Sequence, residues 1–144
     1  MELDGENAKI LRYFPIDFEV RAPATALDLQ RLEYLEGRSN LLAAYFCGAR
    51  PSSLLKVVFT HAVMFRVIDD FHHPIETYGF TDVGHIPNHF AYRVEGSPFW
   101  AAQKEVLSAV FPGVSHYLFV TGGSCLDALS VEEPVFSWVR VEKE

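Results

Sequence analysis

Six histidines in a chain of 144 residues make a metal centre the first chemistry to test. His72 and His73 are adjacent, and His85-Ile-Pro-Asn-His89 sets two imidazoles four residues apart, the spacing by which one helix face presents two ligands to zinc. Pro87 between them forbids an ordinary helix, because its ring removes an amide donor and collides with the preceding turn. No glutamate follows His85 to serve as base, so the metalloprotease arrangement is absent. What remains is a loop site in which His72, His85 and His89, with Asp69, Asp70 or His73 nearby in sequence, would serve a small metal- or ligand-dependent enzyme centred on residues 69–92. The preferred reading of the segment is a polar loop without metal or other cofactor.

The nucleophile motifs are equally incomplete. Ser124 and Cys125 follow Gly122 and Gly123, but a hydrolase elbow needs Gly-x-Ser-x-Gly on a strand-to-helix turn, and here a strand is expected to return. Pairing Cys125 with His116 would make a thiol protease, yet their neighbours Tyr117 and Leu126 belong to core-like runs. Two glycines are too few to cradle a phosphate. No catalytic residue is therefore assigned. The carboxylate pairs Asp69-Asp70 and Glu132-Glu133 fall at strand ends, where successive side chains point to opposite faces and do not converge on one atom. The plain reading is solvated turn charges; the sharper one is an acidic surface that receives arginine or lysine from a partner protein. With Asp82 and the aromatics Tyr78, Phe80 and Tyr92, read as exposed anchors, they make up the expected binding set.

The elements that must position these groups are clearest between Ser97 and Leu129. Ser97 caps a helix start, Pro98 sits where an amide donor is not needed, and Phe111-Pro-Gly ends the run. Phe99 or Trp100, Gln103, Val106 or Leu107, and Val110 form one stripe on that helix, while Lys104 and Glu105 face away. Two strands follow, Val114 to Val120 and Cys125 to Leu129, joined by Thr121 to Ser124 with glycines free to take positive φ. Upstream, Phe18, Val20 and Ala22 alternate as a strand, and Thr25 to Glu36 reads as a short helix stopped by Gly37, although Leu27, Leu29 and Tyr34 also alternate. Leu41 to Cys47 is one apolar run. Leu54 to Val67 is too long for one strand and breaks near Thr60 to Ala62 into two antiparallel partners. Residues 71–88 read as loop, Phe90 to Val94 as strand, and Val135 to Val141 as a last alternating strand. The sum is a single α+β domain over 1–144, a mostly antiparallel sheet of six to eight short strands with one or two helices packed on one face.

Nineteen acidic against twelve basic side chains leave a net charge of −7, a surplus that a phosphate backbone would repel, so nucleic acid is excluded as a general partner. The N-terminus lacks an apolar leader core and no membrane-spanning run is present, which leads to the expectation of a cytoplasmic protein without membrane contact. Both cysteines, Cys47 and Cys125, lie in apolar runs and are expected as reduced thiols.

Four short segments follow one another in a recurring order: Arg66 to Asp70 at a strand end, Gly96 to Trp100 leading a helix, His116 to Phe119, and Asp127 to Pro134. This ordering resembles that of small uncharacterised bacterial proteins, some of them immunity proteins that neutralise polymorphic or contact-dependent toxins by binding them. The resemblance implies a non-catalytic acidic binder and assigns no active site. The expected function is therefore protein binding, with a basic toxin domain as the concrete partner. The alternatives are the His-loop enzyme and a homo-oligomer paired through a sheet edge.

Overall fold

The structure, a computed structural model, describes residues 9–17, 27–37 and 40–141. Among them run ten strands, β1 (Ile10–Pro15), β2 (Asp28–Leu35), β3 (Leu41–Arg50), β4 (Ser53–Phe59), β5 (Ala62–Asp69), β6 (Thr81–Val83), β7 (Ala91–Glu95), β8 (Ser115–Val120), β9 (Ser124–Ser130) and β10 (Val135–Arg140). Two helices, α1 (His72–Glu76) and α2 (Pro98–Val110), complete the described chain. Six strands form one sheet in the order β5-β9-β8-β7-β1-β6, and four form a second in the order β10-β4-β3-β2. Every pairing is antiparallel except that of β1 with β6. The α+β class and the mostly antiparallel pairing agree with the sequence reading, but the strands divide into two sheets.

Side-chain alternation decides the layers. Leu42, Ala44 and Phe46 of β3 and Leu55, Val57 and Phe59 of β4 face Ala91 of β7, Tyr117 and Phe119 of β8, and Leu126 and Ala128 of β9. This is the main core, bonded edge to face by rings such as Phe46 and Phe90, whose centroids lie 4.8 Å apart. The opposite parity on the larger sheet builds a second, smaller cluster of Leu11, Tyr92, Val94, Leu118 and Cys125. On this outer side α2 brings Phe99 to within 5.3 Å of the His116 ring.

Several sequence expectations are corrected. Thr25 to Glu36 is not a helix where it is described: Asp28–Leu35 is strand β2, paired with β3. A bulge between Leu29 and Arg31 lets Leu29, Leu32 and Tyr34 all pack toward the core, and that extra residue produced the three-residue spacing that imitates a helix. The strand read at Phe18 to Ala22 lies outside the described residues. The break near Thr60 is present, but β4 and β5 are not partners; β4 lies between β3 and β10, whereas β5 pairs with β9 in the other sheet. Residues 71–88 are more than loop, since they hold α1 and β6. On α2, Phe99 is buried but Val106 and Val110 are 69% and 61% exposed, so the inward stripe is narrower than the apolar pattern. Gly122 and Gly123 are not among the glycines with positive φ; their turn is closed by the Thr121 hydroxyl, which accepts from Gly123 N–H at 3.1 Å and Ser124 N–H at 3.0 Å.

Candidate functional site

Three charged or titratable residues interrupt apolar strands at the same parity. Arg66 on β5 stands directly opposite Asp127 on β9, and His116 on β8 is the diagonal neighbour of Asp127. All three therefore point to the outer side of the larger sheet, where they form a continuous relay. Arg66 Nε donates to Asp127 Oδ2 at 2.9 Å, and His116 Nε2 lies 2.7 Å from Asp127 Oδ1. Ser97 Oγ lies 2.8 Å from His116 Nδ1 and also accepts the Trp100 amide at 3.1 Å. Asp127 and His116 are buried, as is Ser97.

A carboxylate only accepts, so His116 carries a proton on Nε2, and a neutral ring in this place offers its Nδ1 lone pair to the Ser97 hydroxyl. At the other end, Arg66 grips Glu76 of α1 through two bonds, Nη1 to Oε2 at 2.9 Å and Nη2 to Oε1 at 2.6 Å. Its guanidinium also lies 4.3 Å from the Phe99 ring centre. His73 brings Nε2 to 3.4 Å from Asp127 Oδ2, an electrostatic contact without formed hydrogen-bond geometry, and that nitrogen is buried with no hydrogen-bond partner. The relay thus ties both helices to the sheet.

Charge balance follows from these contacts. Burial pushes the Asp127 carboxyl upward, but the hydrogen bond from His116 and the nearness of His73 outweigh it and hold the group well below the carboxylate range. Glu76 is held down chiefly by its bonds from Arg66. Cys125, on the same face, is pushed up to about 12 by burial and then by the charge of Asp127. A thiol so protonated is a poor nucleophile, which removes the Cys125 and His116 protease reading; His116 is committed to Asp127 and Ser97 instead.

Beside the Ser97 end a cleft of about 340 Å³ opens between the first turns of α2 and the ends of β7 and β8. Ser97 and His116 line it with Arg93, Glu95, Trp100 and Lys104. Gly96 sets Ser97 in place: its φ is +87°, and a Cβ there would collide with the Ile10 carbonyl of β1.

The residues expected from sequence are scattered by the fold. Asp69 and Asp70 sit where β5 meets the β8–β9 turn, with Asp70 N–H bonded to Gly123 O at 3.0 Å. Glu132 and Glu133 follow the far end of β9, roughly 20 Å away at strand rise. Asp82 lies on β6 at the opposite edge of the six-stranded sheet from β5. The acids therefore do not form one patch. Tyr78 is 87% exposed and Phe80 is partly buried, with Lys9 over its ring. Tyr92 is corrected outright: it is wholly buried on central strand β7, where its hydroxyl donates to Ile86 O at 2.7 Å and accepts from Ile86 N–H at 3.2 Å.

His85 and His89 pack their rings on Tyr92, at 5.7 Å and 5.1 Å, and His89 Nε2 lies 3.3 Å from Ile16 O. Among the described residues no three His, Cys, Asp or Glu side chains converge as a metal set, so His72, His85 and His89 do not assemble the site their spacing suggested. The histidines of that loop act as aromatic packing.

Sequence reasoning missed two features. One is the relay, whose signal was a charged residue in the middle of an apolar strand: Arg66 in Met-Phe-Arg-Val-Ile and Asp127 in Cys-Leu-Asp-Ala-Leu. The other is the outward side of α1, where Phe71, Ile75 and Tyr78 are 79%, 71% and 87% exposed. Ile75 lies on the helix, Phe71 is its N-cap and Tyr78 follows its C-cap Thr77.

The molecule is thus a two-sheet α+β protein whose helices are moored by a buried ionic relay. Compared with protein-family models, curated proteins and solved structures, the chain matches none. No helix among the described residues is long and apolar enough to cross a membrane.

Proposed function

We propose that this protein works by binding another protein through the outward face of α1, and that the partner is a basic domain with an apolar groove. The observation that supports the reading is the exposure of Ile75 on α1, a helix of only five residues, and of Phe71 and Tyr78 in the turns on either side of it. So short a helix is not stable by its own hydrogen bonds, and it has no side-chain cap at its start. The Arg66 clasp on Glu76 supplies the missing support from inside, which leaves the three apolar side chains free to face outward. Large apolar groups so exposed are the anchors by which a helix enters a groove, and aromatic anchors carry most of the energy of an interface.

Charge directs the choice of partner. Asp69 and Asp70 precede the helix and the chain carries −7, so a basic rim around the groove would be drawn toward it. Toxin neutralisation in the cytoplasm is the form this takes: a basic toxin domain is captured and its working surface covered. Binding, not turnover, is the work assigned to this face.

The test is isolation of the partner on immobilised protein, then calorimetry with the purified pair. Truncating one such anchor costs about 2 kcal/mol, so Phe71→Ser with Tyr78→Ser is expected to weaken binding about a thousand-fold. Salt is expected to weaken it further. A partner whose affinity ignores both substitutions overturns the reading, as does light scattering that finds the α1 face occupied by a second copy of the chain.

A further inference from the structure

The relay has a second end, away from α1, and it terminates in a hydroxyl at a cleft. We propose that Ser97, His116 and Asp127 constitute an acyl-transfer centre that hydrolyses short carboxylic esters in the cleft at the start of α2. This goes beyond the binding face and does not depend on it.

Four features of the geometry carry the inference. The contacts, 2.8 Å from Ser97 Oγ to His116 Nδ1 and 2.7 Å from His116 Nε2 to Asp127, both fall in the range for a nucleophile, its base and the group that orients the base. Asp127 is itself immobilised by Arg66 Nε at 2.9 Å, so the imidazole is oriented with Nδ1 toward the hydroxyl. Ser97 also stands at the N-terminus of a thirteen-residue helix, where the Trp100 amide donates to Oγ and fixes the side chain at the cleft. Finally, Ser97 and His116 both line the cleft, so the two reacting groups share one opening. The base uses Nδ1 toward the serine, whereas the serine proteases use Nε2. Either ring nitrogen has an in-plane lone pair, so the order of the ring does not alter the chemistry.

The steps balance without a cofactor. Ser97 Oγ attacks the ester carbonyl as its proton passes to His116 Nδ1, and the tetrahedral adduct collapses as the imidazolium protonates the departing alkoxide. Water then gives a proton to the same nitrogen while its oxygen attacks the acyl carbon. Cleavage of the bond between Oγ and that carbon returns the proton to Ser97 and releases the acid. A cleft of about 340 Å³ is at the small end for ligand sites, which suits a short acyl chain and excludes a folded polypeptide.

Ser97 and His116 are the catalytic residues here, and Asp127 and Arg66 position the imidazole. The experiment treats the purified chain with a fluorophosphonate probe, locates the adduct by mass spectrometry, and follows hydrolysis of p-nitrophenyl acetate in parallel. Stoichiometric modification of Ser97 is expected, with a burst of nitrophenolate. Ser97→Asn keeps a good helix cap while removing the nucleophile, so it is expected to fold and to lose both signals. Folded wild-type protein that leaves Ser97 unmodified at saturating probe overturns the proposal, and so does hydrolysis that persists in Ser97→Asn. Should that variant not fold, the position of the adduct on the wild-type chain decides alone. Binding by the α1 variants is read separately and bears on neither outcome.

Discussion

Replacing Asp127 tests the relay at its centre, and two substitutions there differ in an informative way. Asp127→Ala leaves His116 Nε2 buried without its acceptor and takes one acceptor from the part-exposed Arg66. Breaking a buried ion pair from one side costs about 3–5 kcal/mol. Arg66 keeps both bonds to Glu76, so the cost belongs at the lower end, about 3 kcal/mol. Asp127→Asn behaves differently because Arg66 can only donate. The amide oxygen must turn to Arg66, and the amide nitrogen then faces His116 Nε2, which must give up its proton to accept. The imidazole is forced into the opposite tautomer, with Nδ1–H donating to Ser97 Oγ. The Arg66 and His116 contacts keep partners, while the charge of Asp127 and the acceptor of the Ser97 hydroxyl proton are lost, at about 1.5 kcal/mol. In a domain of this size each kilocalorie moves the melting midpoint by roughly 2–4 °C. The expected losses are therefore about 6–12 °C for alanine and about 3–6 °C for asparagine. Urea titration gives the energies, and nitrogen chemical shifts of His116 read the tautomer directly. Asparagine as costly as alanine, or a ring whose proton remains on Nε2, would refute the reasoning. The asparagine variant is also expected to leave Ser97 unreactive although Ser97 itself is untouched, since its base no longer has a free lone pair.

Further outcomes follow from the same contacts. Asp127 and Glu76 both sit below the ordinary carboxylate value, Asp127 against the upward push of burial and Glu76 chiefly through Arg66, so each adds stability at neutral pH that is lost as pH falls through its folded value. The urea midpoint should therefore fall between about pH 5 and about pH 2, and fall less steeply in Asp127→Asn. Cys125 is buried with its thiol raised to about 12, whereas Cys47 is partly exposed, so a thiol reagent at mildly alkaline pH should react with one cysteine in the folded protein and with both in concentrated guanidinium. Tyr92→Phe removes the hydroxyl that holds Ile86 through both its carbonyl and its amide. About 1–3 kcal/mol should be lost by denaturant titration, with faster amide exchange at Ile86; unchanged exchange there would show that the loop is held otherwise.

How much of this was legible in the sequence depended on the range of the interaction. Ser97, Pro98 and the Phe111 stop made α2 readable because capping is decided within one turn, and Val135 to Val141 was readable because alternation is local. β2 was misread because a bulge shifted the parity of Leu29 against Leu32, and only the pairing with β3 shows where the extra residue falls. The acids were named from composition, but only strand order reveals that Asp69 and Asp82 sit at opposite edges of a sheet. The relay was hidden for the same reason, since its members lie 10 to 61 residues apart along the chain. Arg66, Ser97, His116 and Asp127 nevertheless come one from each of the four segments that carry the immunity-protein resemblance. The fold brings all four segments to one place.

The two-residue link Thr60-His61 carries the chain from one sheet into the other, and β5 then waits for β9, whose partners lie 55 to 68 positions downstream. During synthesis, β5 leaves the ribosome long before its sheet neighbour β9 exists, with Met64 and Val67 uncovered. Such a chain should mature slowly and depend on chaperones early, since the closing event must await a strand more than fifty residues further on.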